Sequence, residues 1–429
     1  MAELSTLDGL FKEVYADKIE NLVPESSHLT KKVPFEKATQ QGRKFVQPVI
    51  VSQVGGFTVG DNSQAYTLNE SAGMVTADAE ITTPSLVLRQ SIPYGQLAQS
   101  TSDKGAFINA TRLTVEVMME AMTKRNEINY LYGQVGIGES DTDTYVSGAD
   151  IDVTITDDSW SAGIWSGGEG STSVQFYDHT GSLVANSTNS LFVVKSIDID
   201  NKVITFTAGS SDSTLAAALD TAITAAKAAS SVCKVFFYGT KSVEAKGLQS
   251  ICQTSGTLFN IDNSTYSLFK GNDITIPYVS ASDSGILTVA KLLKAFNSAI
   301  GRGLEEETTI YVNPETWLGL VATLEDIRRV DASYKASKSE QGVEAVEIYT
   351  SAGVSKIVPH LFVKKADVFI LPEKRLLRTG ASDITFTLDG MEGKFFRQLE
   401  NRAGFELRCF SSQAIFTAHP AKCTYGKIL

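Results

Sequence analysis

Apolar positions recur at three- and four-residue steps in several stretches of the chain and alternate in others, which places helices and strands before any chemistry is considered. Residues 5–22 carry Leu7, Leu10, Phe11, Val14, Tyr15, Ile19 and Leu22 on one helical stripe, with Ser5 as N-cap and Pro24 at its end. Residues 24–42 then read as an extended arm of balanced charge, outside any core. The longest helix is expected over 103–132, where Phe107, Ala110, Thr114, Val117, Met118, Ala121, Met122, Ile128 and Leu131 share a face. Ser102 or Asp103 can cap its start, and Gly133 stands where a glycine C-cap belongs. Arg112, Glu116, Glu120, Lys124 and Glu127 form its solvated side, and at ~1.5 Å per residue it makes a rigid strut ~40 Å long.

The β-type runs are of three kinds. Lys44–Ser52 and Glu80–Tyr94 flank a polar, glycine-rich stretch and contain Pro48, Pro84 and Pro93, which suits edge strands. Together, 43–100 reads as a long two-stranded arm with weak alternation. An isolated hairpin is marginally stable, so this arm must lie on something, and a second copy of the chain is the natural support. Glycines 55, 56 and 60 are expected to let it adjust. Residues 138–240 hold short strands (DIDVTIT, SVQFYD, LFVVKSIDI, KVITFTA, CKVFFYG) and one alanine-rich helix at 215–229, predicting a small barrel or sandwich, with Asp-Asn at a two-residue hairpin turn. From 283 the pattern is α/β. A helix has Ile286, Val289, Leu293, Phe296 and Ile300 on one side. The strand TTIYV follows, then a helix to Leu324 capped by Asn313 with Pro314 at its first position. Strands are expected at 345–350, 354–360, 366–371, 384–388 and 404–410, with a polar loop at 331–342.

Charge separates one of these segments from the rest. The net charge is −11, and residues 139–240 contribute thirteen acids and four bases, which is −9. Such a segment reads as a separate domain that nucleic acid would repel. No apolar run reaches the ~18 residues that span a bilayer, and the N-terminus does not read as a signal peptide. Cys233, Cys252, Cys409 and Cys423 form no Cys-x-x-Cys pair, and the four histidines are scattered, so small buried thiols in a reducing compartment are expected and no zinc site.

Catalytic constellations are absent from the sequence. There is no phosphate loop, no HExxH and no GxSxG; GQVGIG at 133–138 follows a helix instead of a strand, against a dinucleotide site. Asp141/Asp143 and Asp157/Asp158 lack the spacing of a calcium loop and read as solvated acids, as does Glu305–Glu307. Arg328, Arg329, Lys335 and Lys338 make a loose positive patch suited to a surface or subunit contact. No cofactor and no enzymatic activity are expected.

The order of segments is arm, long hairpin, long helix, inserted β-domain, α/β domain and final strands. With the stretches TSDKGAFINATRLTVEVMMEAMTKRNEINYLYG, TTIYVNPETWLGLV, VEAVEIYTSAGVSKIVPHLFV and NRAGFELRCFSSQAIFTAHPAK, it resembles the tailed-bacteriophage major capsid protein family, of Hong Kong 97-like α+β fold, over nearly the whole chain. The resemblance implies an N-terminal arm (1–42), an extended loop (43–100), and a peripheral domain around a spine helix (101–137, 241–282, 380–429). It further implies an axial domain (283–379) and an insertion domain (138–240). It implies self-assembly into hexamers and pentamers of an icosahedral shell around double-stranded DNA, in the virion after assembly in the bacterial cytoplasm. Portal and decoration proteins are implied partners, and the short arm points to a separate scaffolding protein.

Some members of that family are cross-linked by a Lys–Asn isopeptide bond from the extended loop. Here no lysine occurs between Phe45 and Asp103, Arg89 being the only base, so a non-covalent shell is expected. Across a subunit contact, Arg89 is expected to meet Glu116 or Glu120, with Phe57 and Tyr66 as apolar anchors. The rival readings are a secreted or surface β-rich adhesin and an enzyme with an unrecognised site.

Overall fold

The computed structural model describes residues 27–37, 45–61, 63–93, 104–145, 147–186, 189–276, 285–328, 346–387, 396–398 and 404–428. The expected helix 5–22 and loop 331–342 lie outside the described residues. Among the described residues the fold is α+β: a long helix, two large sheets, a closed barrel and two separate two-stranded pairs, one long (Phe45–Ser52 with Val75–Ile81) and one short (Thr257–Leu258 with Ile261–Asp262).

The helix runs Lys104–Tyr132. Met118 and Met122 pack on Leu407 and Cys409, and Ile128, Leu131 and Tyr132 enter the main core. Two features depart from its amphipathic reading. Val117 is exposed, and Glu127, expected in solvent, is fully buried. The reason is non-local. Residues His28–Lys32 form a short helix whose Ser27 makes no side-chain cap, and Glu127 does that work. Its carboxylate accepts the backbone N–H of Thr30 at 2.7 Å and of Leu29 at 3.4 Å. The arm is therefore partly a core element: Leu29 and Val33 are buried, and Phe35–Lys37 pairs in parallel with Arg378–Gly380.

Gly133 follows the helix, but the left-handed residue is Gln134, at φ 66°. Gly133 is needed for close approach: a Cβ there would stand 2.2 Å from the Ala245 carbonyl. The chain leaving the helix and the chain returning at Gly247 cross backbone to backbone, with Gly247 N–H donating to Gly133 O at 3.0 Å.

Between these crossing points lies a six-stranded closed barrel: Gly138–Thr144, Asp150–Ile155, Ser173–Tyr177, Phe192–Asp198, Val203–Ala208 and Lys234–Phe237. The helix Ser213–Ala228, capped by the Asp212 carboxylate, packs against it. Phe176 meets Phe192 and Phe206 edge-on at 5.1 Å each, and Trp165 meets Phe206 at 6.2 Å. The turn expected as two residues has four, because Asp198 pairs with Val203 and its carboxylate accepts the N–H groups of Asp200 and Asn201.

A six-stranded mixed sheet has the order Asn272–Ile276, Thr424–Ile428, Asp367–Leu371, Thr308–Val312, Gly353–Pro359, Val346–Thr350. Its first two strands come from segments outside 283–379. Its helices are Val289–Ile300, capped by Thr288, and Pro314–Arg328, where Asn313 Oδ1 accepts from Glu315 N–H at 2.9 Å. Leu292, Ala295, Phe296 and Ala299 are the buried face of the first; Leu293 is exposed. The five-stranded sheet is built on the 14-residue strand Gly404–Thr417, twice the expected length, which pairs with Leu376–Thr385, Phe396–Gln398 and Leu86–Pro93.

The barrel is pinned to the six-stranded sheet's 360–367 loop. Lys365 N–H donates to Trp160 O at 3.0 Å, Ala366 N–H to Asp158 O at 3.1 Å, and Ser161 Oγ to Leu361 O at 2.7 Å. Lys364 is buried there; its ammonium donates to Gly136 O at 2.9 Å and lies 4.2 Å from the Tyr132 ring.

Candidate assembly surfaces

The hairpin pairs Phe45–Ser52 with Val75–Ile81 in antiparallel register, Phe45 opposite Ile81. The second strand was expected at 80–94; instead that run divides, and Leu86–Pro93 leaves the hairpin to join Gly404–Ser411. Four residues, Thr82–Ser85, link these two strands outside any regular element, and Pro84 falls within the link. Only the base of the hairpin is anchored: Val51, Ala79 and Ile81 are buried, Phe45 meets Phe416 at 6.4 Å, and Glu80 N–H donates to Phe259 O. From Ser52 to Asp78 no described residue is buried.

Phe57 is 87% exposed and Val59 96%, with Ile50, Val54, Leu68 and Met74 also bare. The tip is nevertheless ordered by its own polar contacts: Asn69 Nδ2 donates to Phe57 O and Asn69 N–H to Thr58 Oγ1, each at 2.8 Å. Tyr66, half exposed, lies so close on Gly60 that any Cβ there would collide with its ring. Gly60 thus serves a close packing contact inside the hairpin, a role different from the adjustability expected of it.

A second surface is a groove of about 630 Å³ between the long helix, the strand Leu86–Leu88 and the barrel wall. Val117, Ala121 and Met122 supply its floor, and Gly167–Ser173 with Phe237–Tyr238 its far side. Lys124 enters from the helix; its ammonium donates to Ser166 O at 2.7 Å, and burial lowers its pKa to about 8 against the weaker pull of Glu169. Arg125 is stacked 3.2 Å from the Phe237 ring centroid and paired with Glu244 at 2.9 Å. No residue of 45–81 lines this groove.

The remaining expected contact residues are dispersed. Arg89 is exposed on its strand, 3.8 Å from the buried Glu406 carboxylate, which also takes Arg408. Glu120 lines the groove and Glu116 sits one turn earlier on the helix. Arg328 ends the helix Pro314–Arg328, while Arg329, Lys335 and Lys338 lie outside the described residues. Asp157 is not simply solvated: Lys202 and Lys365 pair with it, as Arg375 and Lys422 do with Glu306. Among the described residues no group of three or more His, Cys, Asp or Glu could hold a metal ion. All four cysteines are buried free thiols, with Cys423 pushed up to about 12 by burial.

Sequence reasoning did not find the junction around Glu127. His360 Nδ1 accepts from Phe362 N–H, which leaves Nε2 as the protonated nitrogen, 3.5 Å from Glu127. The His28 ring lies tilted against His360, 5.2 Å between centroids, and burial lowers its pKa. The only sequence signal was a glutamate one residue before the apolar Ile128, and nothing local distinguishes that from a solvated face.

No protein-family profile matches the sequence, and no curated protein matches it. Among solved structures, the capsid asymmetric unit of cyanophage A-1(L) aligns over 97% of this chain and 99% of that one, with a TM-score of 0.51 at 10% identity. The fold is that of a phage capsid protein. The cyanophage P-SCSP1u capsid structure aligns over 98% of this chain and 94% of that one (TM-score 0.48, 11% identity). The capsid of a native GTA particle aligns over 98% and 96% (TM-score 0.48, 8% identity). In this capsid fold the hairpin and the groove are two surfaces of one chain that do not meet within it.

Proposed function

We infer that the chain is a capsid-shell subunit that assembles with copies of itself into the hexamers and pentamers of an icosahedral shell around double-stranded DNA. The observation that carries the reading is the hairpin. A segment of a capsid fold holds an ordered conformation while leaving no described residue from Ser52 to Asp78 buried. Apolar patches of that kind on a folded chain mark contact surfaces. In a ring, one edge of a subunit meets a different edge of the next, and the hairpin crossing a neighbour's long helix supplies such a heterologous contact.

In capsid terms the long helix and five-stranded sheet act as the peripheral unit around a spine, and the six-stranded sheet with its two helices as the axial unit. Segment 138–240 is the insertion domain, its −9 charge turned away from DNA. Phe57, Tyr66 and Arg89 belong to the donor side, Glu116 and Glu120 to the acceptor side. A scaffolding protein, a portal and decoration proteins are the expected partners, with the virion as the destination. No described helix is long and apolar enough to cross a membrane.

Sedimentation of the expressed chain, alone and with a scaffold, tests the reading: species of megadalton size with rounded shells in negative stain are expected, and a permanently monomeric chain would overturn it. Lacking a hairpin lysine, the shell should be non-covalent. Boiling particles in denaturant and reductant should release single chains, against a ladder of covalent oligomers.

A further inference from the structure

We propose that the junction of His28, His360 and Glu127 is an acid-released latch, which holds the arm 27–37 on its own chain while His28 is neutral and frees it when His28 takes a proton. The latch is a property of the single chain and does not depend on the shell reading.

The arm is held by a small and separable set of contacts. Of its described residues, Leu29 and Val33 enter the main core. The Glu127 carboxylate takes the Leu29 and Thr30 N–H groups, and Lys32 pairs with Glu373 at 3.0 Å. Arg378 donates from Nε to Val33 O and from its backbone N–H to Pro34 O, each at 2.9 Å, and Phe35–Lys37 adds its parallel pairing. A segment with so few buried contacts can open without unfolding the rest.

Charge determines when it opens. Around the half-buried His28 stand Glu127 from the long helix and His360 from the 360–367 loop, with Lys31 and Lys32 on its own short helix. Tyr311, from Thr308–Val312, lies 6.3 Å away between ring centroids. Farther out, Glu373 takes both Lys32 and the Tyr311 hydroxyl, and Arg378 pairs with Asp383 beside Tyr130. A proton on His28 therefore arrives in a partly desolvated position beside two lysines, and Glu373 is already paired with one of them. Burial, His360 and the two lysines outweigh the attraction of Glu127 and hold the His28 pKa below its ordinary value. The released arm carries no such penalty, so it binds the proton more tightly than the docked arm does. Docking is therefore at full strength above the ordinary histidine pKa of about 6.5 and weakens as pH falls through the lowered value. Release bares Leu29 and Val33 together with the carboxylate they covered.

Hydrogen exchange on the full chain tests this, with intrinsic exchange rates corrected for pH. The protection of residues 29–37 is read against that of Asp367–Leu371, an interior strand of the six-stranded sheet. Between about pH 7.5 and about pH 5 the arm should lose at least about threefold more protection than the reference strand. His28→Asn, which cannot take the proton, should abolish that difference. His28→Arg, which carries a fixed charge, should leave the arm poorly protected at both pH values. Arm and reference changing together in the wild type, an equal loss in His28→Asn, or a fully protected arm in His28→Arg would each overturn the latch. Should His28→Arg fail to fold, the comparison of wild type with His28→Asn decides.

Discussion

The barrel and the hairpin are both antiparallel β-structure in the same chain, and they satisfy themselves in opposite ways. The barrel closes on itself, so it has no free edge, and its aromatic centre of Trp165, Phe176, Phe192 and Phe206 is out of water. The hairpin has two strands, two free edges and apolar side chains facing solvent from Ile50 to Val75. Closure makes a unit that tolerates the −9 charge of its segment because the charge sits outside a complete core. The hairpin has no such core, and its order comes from backbone pairing and a few polar bonds at the tip. The difference separates stability from assembly: one region determines whether the chain folds, the other what the folded chain can join.

Substitutions can break or sharpen that division. The largest effect is expected in the barrel. Phe206→Ala removes a ring at the meeting point of two edge-on contacts and should cost about 3–5 kcal/mol in denaturant unfolding. Phe57→Ala should stay within about 0.5 kcal/mol of wild type yet impair particle formation. Equal destabilisation by the two would erase the distinction. Next is the junction that ties the arm to the long helix. Glu127→Ala strips the acceptor from two backbone N–H groups, and a loss of about 2–3 kcal/mol is expected by the same measurement. Gly133→Ala, at the crossing of the two barrel connections, should cost about 1–3 kcal/mol, because the added methyl meets backbone on the far side.

The smallest expected effect is a pH dependence confined to the barrel. Burial, then the hydrogen bond with Asp220 and its charge, push the Asp143 carboxyl up to about 6. The folded chain therefore holds a proton that the unfolded chain has released, so stability should fall as pH rises from about 4 through about 6. Asp143→Asn should flatten that slope in thermal unfolding, and an unchanged slope would place its origin elsewhere.

Much of this architecture was legible because it is local. The stripe from Thr114 to Leu131 gave the long helix, and alternation in DIDVTIT and KVITFTA gave two barrel strands close to their observed limits. What escaped depends on distant pairing. Gly138–Thr144 reads GESDTDT, with no apolar residue, and becomes a strand only because closing the barrel needs it between Asp150–Ile155 and Lys234–Phe237. A strand is expected at 384–388, whereas the observed strand runs Leu376–Thr385 through RTGAS, where Arg378 is buried by Val33 O and Gln413. In the candidate surfaces, Phe57 and Tyr66 stood out as apolar residues within a polar stretch. The groove did not, since its walls come from a helix, a strand and a barrel far apart in sequence.

The account depends on the hairpin being completed by another copy of the chain. Sedimentation velocity of the full chain against a version with residues 55–72 replaced by a short turn tests that dependence most directly. The full chain should yield megadalton particles, and the shortened one a folded monomer with a near wild-type melting temperature. Particles from the shortened chain, indistinguishable from wild type, would contradict it.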